Sequence, residues 1–229
     1  MSNFDSDGGA EHDWEDRGDL AWNEFDWERY LREQDEAIRR YLRFYAECKD
    51  SPNRIDAVAD KMAWGQDEWS DENSGDSEEA GGDLEAKAGF DEDGDVYTLH
   101  KNPIFISTKA IFLGLIQSWQ EIAIDSTKVP QPLAVNLLGS LSRGEELAVQ
   151  AIHALDFGDY AMAVSLFKRA LSALNGSLAL LNSEPALRHL HTHAWRASAL
   201  PALFDLREIW LRVIAECRDE LDRPQDDEA

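Results

Sequence analysis

The sequence predicts an all-α protein: an up-and-down bundle of four to five long helices, preceded by an N-terminal helical hairpin and an acidic disordered linker. Three observations carry this reading. Apolar residues recur three and four apart over most of the chain, the spacing of a helix face. Cap and turn signals punctuate those runs, among them Asn102-Pro103, Pro130/Pro132 and Gly158-Asp159. Charge is also lopsided. Residues 1–95 hold 30 Asp+Glu against 10 Lys+Arg, whereas residues 96–229 hold 16 against 12.

Residues 1–19 are rich in Asp, Glu and Gly without periodicity and are expected to be disordered. A hairpin is expected over 20–65. Its first helix, from about Asp26 to Cys48, carries Trp27, Leu31, Gln34, Ile38, Tyr41, Tyr45 and Cys48 along one seam, with Gln34 the polar exception. Ser51-Pro52 reads as the start of a second helix that uses Ile55, Val58, Ala59 and Met62 and stops at Gly65. Residues 66–95 are a Gly, Ser and acid run that cannot bury enough apolar surface to offset chain entropy, so they read as a flexible linker. Val96–His100 reads as a short extended stretch.

The bundle is expected over 96–222. A strongly apolar helix follows Asn102-Pro103 to about Ile124. It is apolar on more than one face, which suits a central helix or one that also packs on the front hairpin or a second subunit. A second helix covers Leu133–Leu155, with Ser142–Gly144 as a break point. Asp159 caps a third, from Tyr160 towards Leu181, weakened at Asn175-Gly176. A fourth starts at Ser183-Glu184-Pro185 and runs through Trp195 to Leu200, where Pro201 is expected to kink or split it from Ala202–Leu221. Short loops make neighbours antiparallel. Residues 223–229 form an acidic tail.

A net charge of −24 repels nucleic-acid phosphate and anionic lipid, because both are bound through basic side chains. No nucleic-acid and no membrane partner is therefore expected. The favoured partner is a basic protein, and a homo-oligomer is compatible. Cys48 and Cys217 lack CxxC spacing, so free thiols and a cytoplasmic location are expected. The acidic first residues lack the apolar stretch of a secretory signal, so they are not expected to act as one.

Residues 151–171 read AIHALDFGDYAMAVSLFKRAL. Small Ala151 before a turn at Gly158 and Tyr160, then Ala163, Phe167 and Ala170, resemble part of a tetratricopeptide repeat. The resemblance covers about 20 residues of a unit of about 34. It implies a helical hairpin in which small residues let two helices approach and an aromatic ring fills the groove. No second copy is evident.

Three groups of residues carry four readings of candidate chemistry. In Arg188-His189-Leu190-His191-Thr192-His193, a continuous helix would put His189 and His193 about 40° apart on one face, with His191 turned away. Such a pair can hold a divalent transition metal, with Glu184 as a further ligand and His153 or Glu145 reaching in from another helix. HExxH and ExxH patterns are absent. The same stretch, through Arg188 and His193, is similar to the Rx4–6H motif of HEPN-type nucleases, which implies RNA cleavage by a dimer. His189 stands where that motif usually has a polar Asn. Asp91-Glu92-Asp93-Gly94-Asp95 alternates acids as calcium loops do, but Val96 and Asn102 stand where Gly and Glu are needed. The last group is aromatic. Trp14 and Trp69, flanked by acids, suit docking into basic-rimmed apolar grooves, whereas Trp27 and Trp64 are expected in the core. No reaction is specified by these patterns. They favour a non-enzymatic interaction or scaffold protein that offers an acidic surface to a basic partner, with a metal-binding bundle as the alternative.

Overall fold

A computed structural model describes residues 22–64 and 101–223. These form seven helices and no strand: α1 (Glu24–Glu47), α2 (Arg54–Lys61), α3 (Pro103–Ala123), α4 (Gln131–Asp156), α5 (Tyr160–Leu181), α6 (Glu184–Arg188) and α7 (Leu190–Asp222). The all-α bundle expected from the periodicity is the fold found. The stretches expected as disordered terminus, linker and most of the acidic tail lie outside the described residues, as do Gly65 and Val96–His100.

The four long helices α3, α4, α5 and α7 close into a ring, each packed on the next, with α7 returning to α3. Cross-helix bonds fix the chain directions. The Trp119 indole donates to the Ala134 carbonyl at 3.1 Å, and Lys109 meets Glu145 at 2.6 Å, so α3 and α4 run oppositely. Ser177 Oγ bonds Ser140 Oγ at 2.9 Å, and a Cβ on Gly144 would meet that of Ala173, so α4 and α5 oppose as well. Trp195 Nε1 donates to Ser118 Oγ and Trp210 Nε1 to Thr108 Oγ1, which sets α7 antiparallel to α3. This is up-down-up-down topology. Phe112, Phe167 and Trp210 share the middle of the core, and Trp119 packs on Trp195 at 4.8 Å. The hydroxyl and indole bonds satisfy polar atoms that would otherwise be costly to bury.

The Ala151 to Leu171 segment forms the α4–α5 hairpin. Ala151, Ala163, Phe167 and Ala170 are all fully buried. Gly158 takes φ +71° just beyond α4, and Asp159 then caps α5 by accepting from the Met162 amide. The left-handed residue turns the chain back and satisfies the last carbonyls of α4.

Five features differ from the sequence expectation. The Ser142–Gly144 and Asn175-Gly176 positions do not interrupt their helices. Gly144 is a packing position instead, since a Cβ there would stand 3.4 Å from Phe112 Cζ. Pro201 lies inside α7 without splitting it. It sits on the exposed side, as does Ala197, whose carbonyl loses its donor, so water can take over that bond. The break falls at His189, which is extended at φ −91°, ψ 119°. Ala186 and Thr192 explain why. Six residues apart, they would point about 120° from one another on a continuous helix. Both are fully buried, and the extended residue lets both face inward. Finally, α2 begins at Arg54 rather than Ser51-Pro52 and ends at Lys61, followed by Ala63 in the left-handed region, φ 59°.

The front hairpin packs on the bundle. α1 crosses α3 so closely that a Cβ on Gly114 would lie 3.1 Å from Leu42 Cδ1. Ala37, Ile38, Tyr41, Tyr45, Val58 and Met62 join the same apolar core as the bundle.

Candidate functional site

Asn23 starts α1 with a reciprocal capping box. Its side chain accepts from the Phe25 and Asp26 amides, and Asp26 accepts from the Asn23 amide at 3.1 Å. The first half of α1 therefore holds its helical form, although its burial begins only at Ala37. That half carries three rings in mutual edge contact. Trp22 lies 4.8 Å from Trp27 and 5.5 Å from Tyr30, and Trp27 lies 5.9 Å from Tyr30. Trp27, expected in the core, is 53% exposed, because it lies about four turns before Leu42, where α1 packs closely on Gly114 of α3. Trp64 does pack against the core, stacked on Tyr41 at 5.6 Å. Trp14, Trp69 and the Asp91–Asp95 acids lie outside the described residues.

Where α1 leaves the bundle, a cleft of about 350 Å³ opens between α1, α3 and α4. Ile38, Leu113 and Ile116 give it an apolar floor, and the Asp35–Arg39 and Lys109–Glu145 pairs stand at its edges. Each charge has an opposite neighbour, so the cleft carries no net charge of its own.

Tyr45, Arg54 and Asp205 form a group around the least exposed ion pair among the described residues. Asp205 Oδ2 accepts from Tyr45 Oη and from Arg54 Nε, both at 2.6 Å, and the guanidinium lies 4.5 Å from the Tyr45 ring centre. Tyr41 lies beside them with its hydroxyl buried and unbonded. Burial pushes both phenols well above the ordinary tyrosine range, helped at Tyr45 by its bond to Asp205 and at Tyr41 by the nearby Asp205 charge. Neither supplies a phenolate base at neutral pH. The group ties α1 and α2 to α7 and has the form of a clasp.

The histidines do not assemble as the spacing suggested. His189 precedes α7 as its N-cap, and its carbonyl accepts from the His193 amide at 2.9 Å. The two side chains therefore do not share one helical face. His193 and His191 are exposed, and Glu184 is an exposed residue of α6 paired with Arg188. The break at His189 also puts Arg188 and His193 on different helices. Among the described residues, no three His, Cys, Asp or Glu side chains come together in a way that could hold a metal ion.

Compared with protein-family models, with curated proteins and with solved structures, the chain matches none. No helix among the described residues is long and apolar enough to cross a membrane.

The feature that sequence reasoning missed is the outward reach of α1. Its stripe of apolar residues was legible; that the fold covers only half of the stripe was not.

Proposed function

We propose that this chain is a non-enzymatic helical interaction protein that presents an acidic surface to a basic protein partner. One observation carries the reading: the acidic excess is concentrated, since residues 1–21, 65–100 and 224–229 together hold 23 Asp+Glu against 2 Lys+Arg, whereas the described residues hold 23 against 20, with none of those carboxylates buried. Displayed charge of one sign raises the local concentration of the opposite sign and speeds encounter. It also resists nucleic-acid backbone and anionic lipid. Cys48 and Cys217 are free, which supports a reducing, cytoplasmic setting. The acid-flanked Trp14 and Trp69 belong to the same proposal as docking residues.

Exposed charges more than about 8 Å apart are screened at physiological ionic strength. A pull-down from lysate with the intact chain should therefore recover its partner at low salt and lose most of it by about 0.5 M salt. A yield that does not change with salt overturns the proposal.

A further inference from the structure

The seam of α1 is continuous along the helix, but the fold covers only part of it. Ile38, Tyr41 and Tyr45 are 6%, 0% and 9% exposed, whereas Trp27 and Leu31 on the same seam are 53% and 50% exposed. An apolar stripe left open on a capped helix is a docking face in need of an occupant.

The charges around the stripe say which occupant fits. On a helical wheel, Glu24, Asp35 and Glu28 fall about 60–100° from Trp27 on one edge, and Asp26 about 100° on the other. Arg29 and Arg32 fall roughly 140–200° away, on the back of the helix. The edge of the stripe shared by Glu24, Glu28 and Asp35 is therefore acidic, whereas Asp26 is taken up by the capping box and Arg32 stands about 100° from Leu31, paired with Glu28. Glu28 pairs with Arg32 and Asp35 with Arg39, in exposed one-turn pairs. Such pairs contribute little and exchange readily for a new cation.

We propose that the first three turns of α1 dock an amphipathic helix of a partner protein whose apolar seam is edged by Lys or Arg. This rests on the function proposed above and gives it a place on the molecule. The partner's apolar side chains cover Trp27 and Leu31 beside the Trp22 and Tyr30 rings, and its cations reach Glu24, Glu28 and Asp35. A second copy of this chain fits poorly, since its stripe brings the same acidic edge. A cage for a methylated ammonium does not fit either. Ring centres 4.8–5.9 Å apart are in contact with one another and leave no room for a cation between them.

The test uses the full chain and three labelled helical peptides, read by fluorescence anisotropy at low salt: one with a Leu seam edged by Lys, one with the same seam edged by Glu, and one with Lys edges and Ser in the seam. The protein variant is Trp27→Ala/Leu31→Ala, which leaves the net charge unchanged and touches no buried residue. Circular dichroism confirms that its helix content is kept. The Leu/Lys peptide should bind, and the double variant should weaken it at least tenfold, roughly the effect of losing a central aromatic contact. The Lys/Ser peptide should bind more weakly and not respond to the variant. If the Leu/Lys affinity is the same for the variant but still falls with salt, this docking face is wrong while the acidic-surface reading stands. Equal binding of the Leu/Glu peptide also overturns the docking face. If neither Lys-edged peptide binds, both proposals fall. If the chain sediments as a dimer that the double variant dissociates, the occupant is a second copy and the proposal is overturned.

Discussion

Tyr45 donates its phenolic proton to the Asp205 carboxylate at 2.6 Å, across a sequence separation of 160 residues. The same oxygen receives Arg54, so one carboxylate on α7 holds both helices of the front hairpin. The Arg54 and Asp205 side chains are only 11% and 18% exposed. Removing one partner therefore leaves the other charged and poorly solvated. Asp205→Ala should lower unfolding free energy by about 3 kcal/mol, and Asp205→Asn by less, because the amide oxygen still accepts one bond. Urea unfolding measures both. A loss for Asp205→Ala no larger than that of an exposed ion pair, under about 1 kcal/mol, would show that the hairpin is held by apolar contact alone.

Ala63 occupies a position suited to glycine. The Ala63 amide bonds the Asp60 carbonyl and the Trp64 amide bonds the Ala59 carbonyl, which together close α2 around a left-handed residue. A Cβ there is strained, so Ala63→Gly should raise stability by about 1 kcal/mol. Gly139 is the converse case. It lies inside α4 with open space where a Cβ would go, so Gly139→Ala should add about 0.5–1 kcal/mol. Thermal denaturation reads both shifts. A fall in Tm for either variant would contradict the local geometry.

Acid should loosen the hairpin. Asp56 on α2 is bonded to Arg212 on α7, and that bond holds its carboxyl below the usual range. Lys61 does the same to Glu47, joining α2 to α1. A carboxyl depressed in the fold favours the folded state when ionised. Its contribution is complete above the ordinary carboxylate pKa, about 4, and is lost as pH falls through the lower folded value. Urea midpoints should be level from pH 7 to about 5 and drop below about 4. Asp56→Asn should make that drop shallower. An unchanged slope would place the acid sensitivity elsewhere.

The bundle was legible because its information is local. Proline after asparagine, glycine before aspartate and apolar residues at helical spacing each act within a turn or two, and they located α3, α4 and α5 within a few residues. The misplaced features depend on distant groups. Pro201 looks like a breaker until Trp195, Ala199, Leu203 and Leu206 are seen buried on both sides of it. Gly144 looks like a break until Phe112 is found against it. Trp27 fits a core seam by spacing, and only the place where α1 crosses α3 shows that it projects beyond the core. The Tyr45–Arg54–Asp205 clasp leaves no sequence signal at all, since its members are unremarkable residues brought together from three helices.

The three closely spaced histidines give the last prediction. Their spacing suggests a shared metal only if the helix is continuous, and His189 is extended. It stands at the N-cap of α7 and makes no side-chain bond to the first turn. Asp or Ser at that position would accept from an otherwise free amide, so His189→Asp should raise stability by about 1 kcal/mol. Zinc should have no comparable effect. Two imidazoles that do not converge, without a third ligand, cannot bind the ion tightly enough to shift folding by mass action. Equimolar zinc added to the tag-free chain should leave Tm unchanged. A rise of several degrees that disappears in His193→Ala would mean that His189 swings onto the helix to complete a site, and Ala186 and Thr192, about 120° apart on a continuous helix, would then have to be buried some other way.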